Sequence, residues 1–85
     1  MKIYLYKSYC DEYAYGEEIV EAYANKEDAL KRLKKDVEEN FGVSWNDIPS
    51  EIGLREGDTF ETSYVSIYLG GGVTSFWSVE ELEVK

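Results

Sequence analysis

The 85-residue chain contains no histidine. Histidine is the usual general base near neutral pH and the commonest metal ligand, so its absence excludes every triad built around imidazole. Adjacent carboxylates arise by chance among eighteen acidic residues, and we expect those present to be solvated. The sequence therefore predicts a protein that is not an enzyme, with no catalytic residue, no metal site and no cofactor.

Cysteine and long apolar runs are equally scarce. The lone Cys10 cannot form an internal disulfide. No secretory leader, no apolar run long enough to span a membrane and no lipidation signal is visible. We expect a soluble protein in a reducing compartment, the cytoplasm of a bacterial host, without a membrane partner.

Basic residues are few: the chain has nine Lys and Arg against eighteen Asp and Glu, which gives a net charge of −9. Nucleic acid is repelled by such a surface, so direct nucleic-acid binding is not predicted. The charge is also uneven, since residues 26–35 carry five basic and two acidic groups. An acidic surface favours association with a basic protein instead.

The composition indicates a folded chain. It is 44% hydrophobic and 15% aromatic, and large rings offset the entropy of ordering with few residues. A chain of this length forms one compact core, so residues 1–85 are predicted to be a single domain. Five of the eight tyrosines fall within residues 4–18.

Two alternating segments near the start predict a β-hairpin, over residues 2–9 and 18–24. We expect the aliphatic set of each segment to face the core and the other set to face away. The aliphatic sets are Ile3 and Leu5, then Val20, Ala22 and Ala24; the opposite sets are Tyr4 and Tyr6, then Ile19 and Tyr23.

A helix is predicted between Asn25, a favoured N-cap residue, and Gly42, which can adopt the left-handed conformation past a helix end. Its apolar stripe contains Ala29, Leu30, Leu33, Val37 and Phe41. Four ion pairs at a spacing of four are expected on its other face: Glu27–Lys31, Asp28–Arg32, Lys34–Glu38 and Lys35–Glu39.

Residues 43–59 lack a sustained period and predict a long structured loop, with one short turn from Ser44 to Asp47 that Pro49 ends. Alternation returns over residues 60–69, followed by three glycines and a final strand. If the glycines form the turn, the paired residues are Val65 with Trp77, Ile67 with Ser75 and Leu69 with Val73.

A two-residue turn would instead exchange Phe76 and Trp77 between the faces of the sheet. A bulge near Glu80 and Glu81 would return Leu82 and Val84 to the buried side.

Together these segments predict an α+β fold of the order β-β-α-β-β, an antiparallel sheet of about four strands with one helix on one face. The uncovered side is expected to carry Tyr4, Tyr6, Tyr23, Tyr64, Tyr68 and either Phe76 or Trp77. Broad exposed aromatic patches mark interaction sites, although tyrosines also stabilise a solvent-facing sheet as cross-strand pairs.

The motifs AYANKEDALKRL and FWSVEELEVK carry a resemblance to a family. They resemble small uncharacterised phage and bacterial proteins with an initial KVYIV-type hairpin, an (S/T/N)-x-E-x-A helix start and an (I/V)-E-E-x-E-(L/V) final strand. The resemblance implies a fold and not a reaction. In size, acidity and compact α+β design the chain is also similar to phage anti-defence inhibitors, including anti-CRISPR proteins, which block nucleic-acid-handling host complexes.

These observations lead to a functional hypothesis of a small acidic protein-binding module, of the anti-CRISPR-like kind, that docks on a basic nucleic-acid-handling host protein. Acids steer such a partner, and tyrosines supply contact area. The predicted partner-binding residues are Asp11, Glu12, Tyr13, Tyr15, Glu17, Glu18, Glu21, Tyr64 and Tyr68.

Two alternatives come from other classes. In the first, the tyrosines stack on a nucleotide or signal molecule whose phosphates meet Lys31, Lys34 or Arg55. In the second, the aromatic face pairs with its own copy in a homo-oligomer.

Overall fold

The computed structural model describes residues 1–11, 18–70 and 73–84 and contains an antiparallel sheet with helices. The strands are β1 (Lys2–Asp11), β2 (Glu18–Tyr23), β3 (Thr59–Glu61), β4 (Tyr64–Gly70) and β5 (Val73–Glu83). The helices are α1 (Lys26–Phe41) and α2 (Ile48–Ile52), the second directly after a 3-10 turn, Trp45–Asp47. In space the strands run β2-β1-β5-β4-β3. The predicted α+β class with an antiparallel sheet is confirmed, with one strand and one short helix more than expected.

The additional strand arises because the segment predicted as one strand from residue 60 to 69 folds back on itself. Thr62 and Ser63 form a tight turn, and β3 then pairs with β4 through Glu61–Tyr64 and Phe60–Val65. This places the ring of Phe60 on Trp45, with their centroids 4.3 Å apart. Contact between these two large rings favours the folded-back arrangement over a single long strand.

Helix α1 begins and ends as predicted. The side chain of Asn25 accepts a hydrogen bond from the Glu27 amide, and Gly42 ends the helix in the left-handed conformation at φ 69°. Ala29, Leu33 and Val37 are fully buried against the sheet. The apolar stripe therefore packs on the sheet, as its spacing indicates.

The outer face of α1 holds fewer ion pairs than predicted. Of the four expected pairs, only Lys35–Glu39 forms among the described residues, at 4.0 Å. Arg32 turns to Asp36 and to Glu21 on β2, and Glu38 accepts a hydrogen bond from the backbone amide of Trp45. Arg32 therefore pairs with a different residue of α1 and with the sheet, and Glu38 contacts the segment after the helix, in place of the predicted partners.

Pro49 was expected to end a short turn, but it lies in the first turn of α2. Proline is well tolerated there, because the first amides of a helix have no intrahelical partner. The helix brings Ile48 into the core, where its side chain is fully buried. The predicted short turn after Ser44 is therefore present as the 3-10 turn, but the helix that follows it, within residues 43–59, was not predicted.

The face assignment of β1 is reversed relative to the prediction. Tyr6 is fully buried under α1, and its hydroxyl donates a hydrogen bond to Asp36. Tyr4, which pairs with Tyr23, has the same orientation along the strand as Tyr6. Tyr4, Tyr6 and Tyr23 therefore face the helix and not the uncovered side, while Ile3 and Leu5 face away.

The register transfers the same reversal to β2. Ser8 pairs with Ile19, and Lys7 pairs with Val20, which is exposed. Ile19 and Tyr23 therefore lie on the helix side, and Val20 and Ala22 on the other side. Because pairing fixes the faces of both strands together, one wrong choice for β1 also misplaces β2.

The last hairpin has the predicted register over most of its length. Val65 pairs with Trp77 and Ile67 with Ser75, and all four are buried. A shift near the turn pairs Val73 with Gly70 instead of Leu69. The register predicted for a turn formed by the three glycines is therefore correct for Trp77, which lies in the core, and the register of the two-residue turn is not observed.

The predicted bulge near Glu80 and Glu81 is wrong. Strands β1 and β5 pair without interruption from Lys2–Glu83 to Asp11–Thr74. Leu82 consequently faces away from the helix opposite Ile3, and both Leu82 and Val84 are exposed.

The core lies between α1 and one face of the sheet, and α2 closes one end. Its buried members are Tyr6, Leu33, Val37, Ile48, Val65, Ile67 and Trp77. In the described part of the chain, no helix combines the length and the apolar character needed to cross a membrane.

Candidate protein-binding surface

The face of the sheet that points away from α1 is called here the open face. Its aromatic patch consists of Tyr9, Tyr64, Tyr68 and Phe76, contributed by β1, β4 and β5. Tyr9, Tyr64 and Tyr68 are 38%, 39% and 45% exposed. An aromatic surface that crosses three strands and meets solvent is typical of an interaction site.

Phe76 lies at the centre of the aromatic patch. It pairs directly with Tyr9, and the two rings stack at 6.3 Å between centroids and 26° between planes. Tyr64 pairs with Ser78 and Tyr68 with Thr74, so both are diagonal neighbours of Phe76. Diagonal neighbours on a sheet lie about 7–8 Å apart, within reach of aromatic side chains.

Carboxylates border the patch. Glu18, on β2, pairs with Tyr9, and Glu61, on β3, pairs with Tyr64. Strands β2 and β3 are the outer strands of the sheet, so these two exposed carboxylates lie at the lateral edges of the open face. Of the charges nearer the centre, Lys7 is neutralised by Glu80 at 3.0 Å. The described part of the open face therefore presents an acidic border around an aromatic centre.

A shallow depression of about 320 Å³ lies in the open face beside this centre. Its lining comes from Lys7, Tyr9, Glu18, Phe76 and Ser78. A basic side chain from a partner fits the chemistry of this depression, because a ring face and the Glu18 carboxylate both attract cations.

The structure brings together three of the predicted site residues, Glu18, Tyr64 and Tyr68, on the open face. Glu21 lies on the opposite face, under α1. Asp11 ends β1 opposite Thr74. Glu12, Tyr13, Tyr15 and Glu17 lie outside the described residues.

Glu21, on β2, forms an ion pair with Arg32 on α1 and so connects the sheet to the helix. Its carboxylate accepts a hydrogen bond from Arg32 Nε at 2.7 Å, and Arg32 also binds Asp36, the acceptor of the Tyr6 hydroxyl. The hydrogen bond from Arg32 lowers the pKa of Glu21. Burial, followed by the hydrogen bond to Asp36, raises the pKa of Tyr6 above its ordinary value. This network fixes α1 on β1 and β2.

Sequence reasoning did not name Tyr9, Phe76 or Glu61 as site residues. A signal for Tyr9 and Phe76 was present, because they share the parity of Ile3 and of Tyr64 along paired strands. Recognising Tyr9 required the correct face for β1, whereas Phe76 was already one of the two residues expected on the uncovered side. Glu61 had no comparable signal, because the turn at Thr62 and Ser63 that makes β3 an edge strand was not predicted.

The nucleotide alternative does not fit the positions of its residues. Lys31 and Lys34 lie on α1, on the other side of the sheet from Tyr64 and Tyr68. Arg55 does lie near Tyr68, at a small cavity of about 190 Å³, but Asp58 lines the same cavity. Among the described residues, no group of three or more His, Cys, Asp or Glu side chains is placed to hold a metal ion.

Comparison with protein-family models, with curated proteins and with solved structures gave no match for this chain.

Proposed function

We propose that the chain is a small acidic, non-enzymatic protein-binding module whose open face docks on a basic protein. The observation that carries this proposal is the exposed aromatic patch with Glu18 and Glu61 at its edges. Interfaces favour aromatic residues at their centres, and charges at the border steer the partner. The depression beside Phe76 offers a receptor for a basic side chain.

The partner class in this proposal is a nucleic-acid-handling host protein, and the role is that of an anti-CRISPR-like phage inhibitor. A net charge of −9 suits a protein that competes with nucleic acid for a basic surface. The resemblance of size and design to phage anti-defence inhibitors favours the same role, and the absence of histidine supports binding over catalysis.

Two variants test the open face against a matched control. Glu18→Lys with Glu61→Lys reverses the acidic edges, and Glu51→Lys with Glu56→Lys makes the same change of charge at exposed positions elsewhere. Each immobilised protein is exposed to bacterial lysate at low and high salt. Retained proteins are identified by mass spectrometry, purified and measured by titration calorimetry.

We expect a basic protein that the wild type and the control retain at low salt and that the open-face variant loses. In titrations, each removed charge pair should weaken binding by about 0.2–1 kcal/mol. Equal affinity of the open-face variant and the control would contradict docking through this face, and so would retention of no basic protein at low salt.

A further inference from the structure

Another concave site lies on the helix side of the molecule, between the first half of α1 and the segments that carry Trp45 and Thr62. Its volume is about 340 Å³, and its walls are mainly apolar. The cleft is lined by Glu27, Leu30, Lys31, Lys34, Trp45 and Thr62. We name it the lysine cleft.

The apolar wall of the lysine cleft is held in place from two directions. The backbone amide of Trp45 donates a hydrogen bond to the Glu38 carboxylate at 2.8 Å, and the indole packs on Phe60. Leu30, at the edge of the buried stripe of α1, is half-buried and forms the facing wall. A wall fixed in this way is a preformed surface for an apolar group.

The two lysines of the cleft have no ion-pair partner among the described residues. The Glu38 carboxylate, which the sequence pairs with Lys34, is bound to Trp45 instead. Lys35, one residue further along α1, does pair with Glu39. Glu27 is the remaining charged group that lines the cleft, so its border has two cations and one anion.

We propose that the lysine cleft binds a small amphipathic anion, an apolar ring or short chain that bears one carboxylate. The apolar body contacts Leu30 and Trp45, and the carboxylate lies between the ammonium groups of Lys31 and Lys34. The volume falls at the small end of the range for ligand pockets, roughly 300–1,000 Å³, which favours a ligand of one or two rings. Glu27 disfavours a polyanion such as a nucleoside triphosphate.

The first test uses naphthoate, a bicyclic aromatic carboxylate, and naphthalene methanol, its uncharged analogue. Each is titrated into isotope-labelled full-length protein, and amide and indole chemical shifts are followed by NMR. We expect naphthoate to shift Leu30, Lys31 and the indole of Trp45, with affinity roughly three- to tenfold above that of the alcohol. The difference should decrease with added salt.

Three variants assign the charge preference to named side chains. Lys31→Gln with Lys34→Gln should weaken naphthoate binding roughly three- to tenfold, and Glu27→Gln should strengthen it roughly twofold. Lys35→Gln, on the same helix but outside the cleft, is the matched control and should leave binding unchanged. All four positions are exposed, so the variants are expected to fold.

Several results would overturn the proposal. These are equal binding of the acid and the alcohol, an equal loss in Lys35→Gln, shifts confined to the open face, or no shifts at all. The cleft and the open face lie on opposite sides of the sheet, so this test is independent of the docking proposal.

Discussion

The Tyr6 hydroxyl is a polar group that lies in the small core together with its hydrogen-bond acceptor. The ring is fully buried, and the hydroxyl donates to Asp36, which also binds Arg32. The Arg32 guanidinium lies 5.6 Å from the centre of the Tyr6 ring. A buried hydroxyl with a charged acceptor avoids the desolvation cost of an unsatisfied group.

Tyr6→Phe removes this hydrogen bond and keeps the ring. We expect the free energy of unfolding to fall by about 1–3 kcal/mol, as for a hydrogen bond to a charged group. Urea denaturation followed by circular dichroism measures the change. Tyr64→Phe on the open face is the control and should change it by less than about 0.5 kcal/mol. Equal losses in the two variants would show that the Tyr6 hydroxyl contributes nothing particular.

The same substitution has an expected pH dependence. The pKa of Tyr6 is raised in the folded state by burial, so above the ordinary tyrosine pKa of about 10 the unfolded chain ionises first. The stabilisation is therefore complete below pH 10 and decreases as the pH rises beyond it. Wild type should lose more stability than Tyr6→Phe as the pH rises from about 10 to about 12. Parallel curves for the two proteins would contradict this assignment.

At the scale of elements, α1 could be predicted to within a residue, because its N-cap, C-terminal glycine and apolar stripe are local signals. The register of β4 against β5 is one of the two that the sequence left open, the one with the three glycines in the turn, apart from the shift at Gly70. The faces of β1 could not be predicted. Ile3 with Leu5 and Tyr4 with Tyr6 are both plausible core sets, and the choice depends on Asp36, thirty residues away from Tyr6.

The residues of the candidate protein-binding surface could be predicted only where the faces of their strands could be. Tyr64 and Tyr68 were predicted on their face because alternation and the register of the last hairpin indicate it. Glu18 was predicted only as a charge that would steer a partner, and the reversed faces of β2 bring it to the open face. Glu21 was misplaced because its partner Arg32 becomes a neighbour only when α1 packs on β2.

Asp58 connects the segment after α2 to strand β4. Its carboxylate accepts hydrogen bonds from the backbone amides of Arg55 and Tyr68, each at 3.0 Å, and these bonds lower the pKa of Asp58. Asp58→Ala should therefore reduce the free energy of unfolding by about 1–2 kcal/mol near neutral pH. Asp47→Ala is the control, because the Asp47 carboxylate caps no helix and accepts no hydrogen bond from any residue that the structure describes.

The contribution of the Asp58 carboxylate to the free energy of unfolding should decrease in acid. Because the pKa of Asp58 is lower in the folded state, its stabilisation is complete at pH values above the pKa of the unfolded chain, about 4. The stabilisation is lost as the pH falls through the pKa of the folded state. The difference between wild type and Asp58→Ala should therefore shrink from pH of about 6 to about 3. Urea unfolding at each pH measures it. A difference that is constant over this interval would argue against the carboxylate as the source.

At the scale of the whole molecule, the net charge and the aromatic patch have opposite effects on association between copies of the chain. The aromatic patch favours association, and a net charge of −9 opposes contact between copies of the same chain. A basic partner is attracted by the same charge. Salt therefore separates the two roles, because screening weakens docking on a basic protein and removes the repulsion between identical copies.

We predict that the protein sediments as a monomer at low salt and associates weakly in about 1 M NaCl, where the Debye length is about 3 Å. Apolar contacts are also strengthened by salt, so the association should occur through the aromatic patch. Sedimentation velocity at several protein concentrations measures it. Tyr64→Ser with Tyr68→Ser should abolish the association, whereas Leu54→Ser, at an exposed apolar position in the segment after α2, should retain it. A stable dimer at low salt that the tyrosine variant dissociates would instead assign the open face to self-assembly, because the contact would then form against the full charge repulsion.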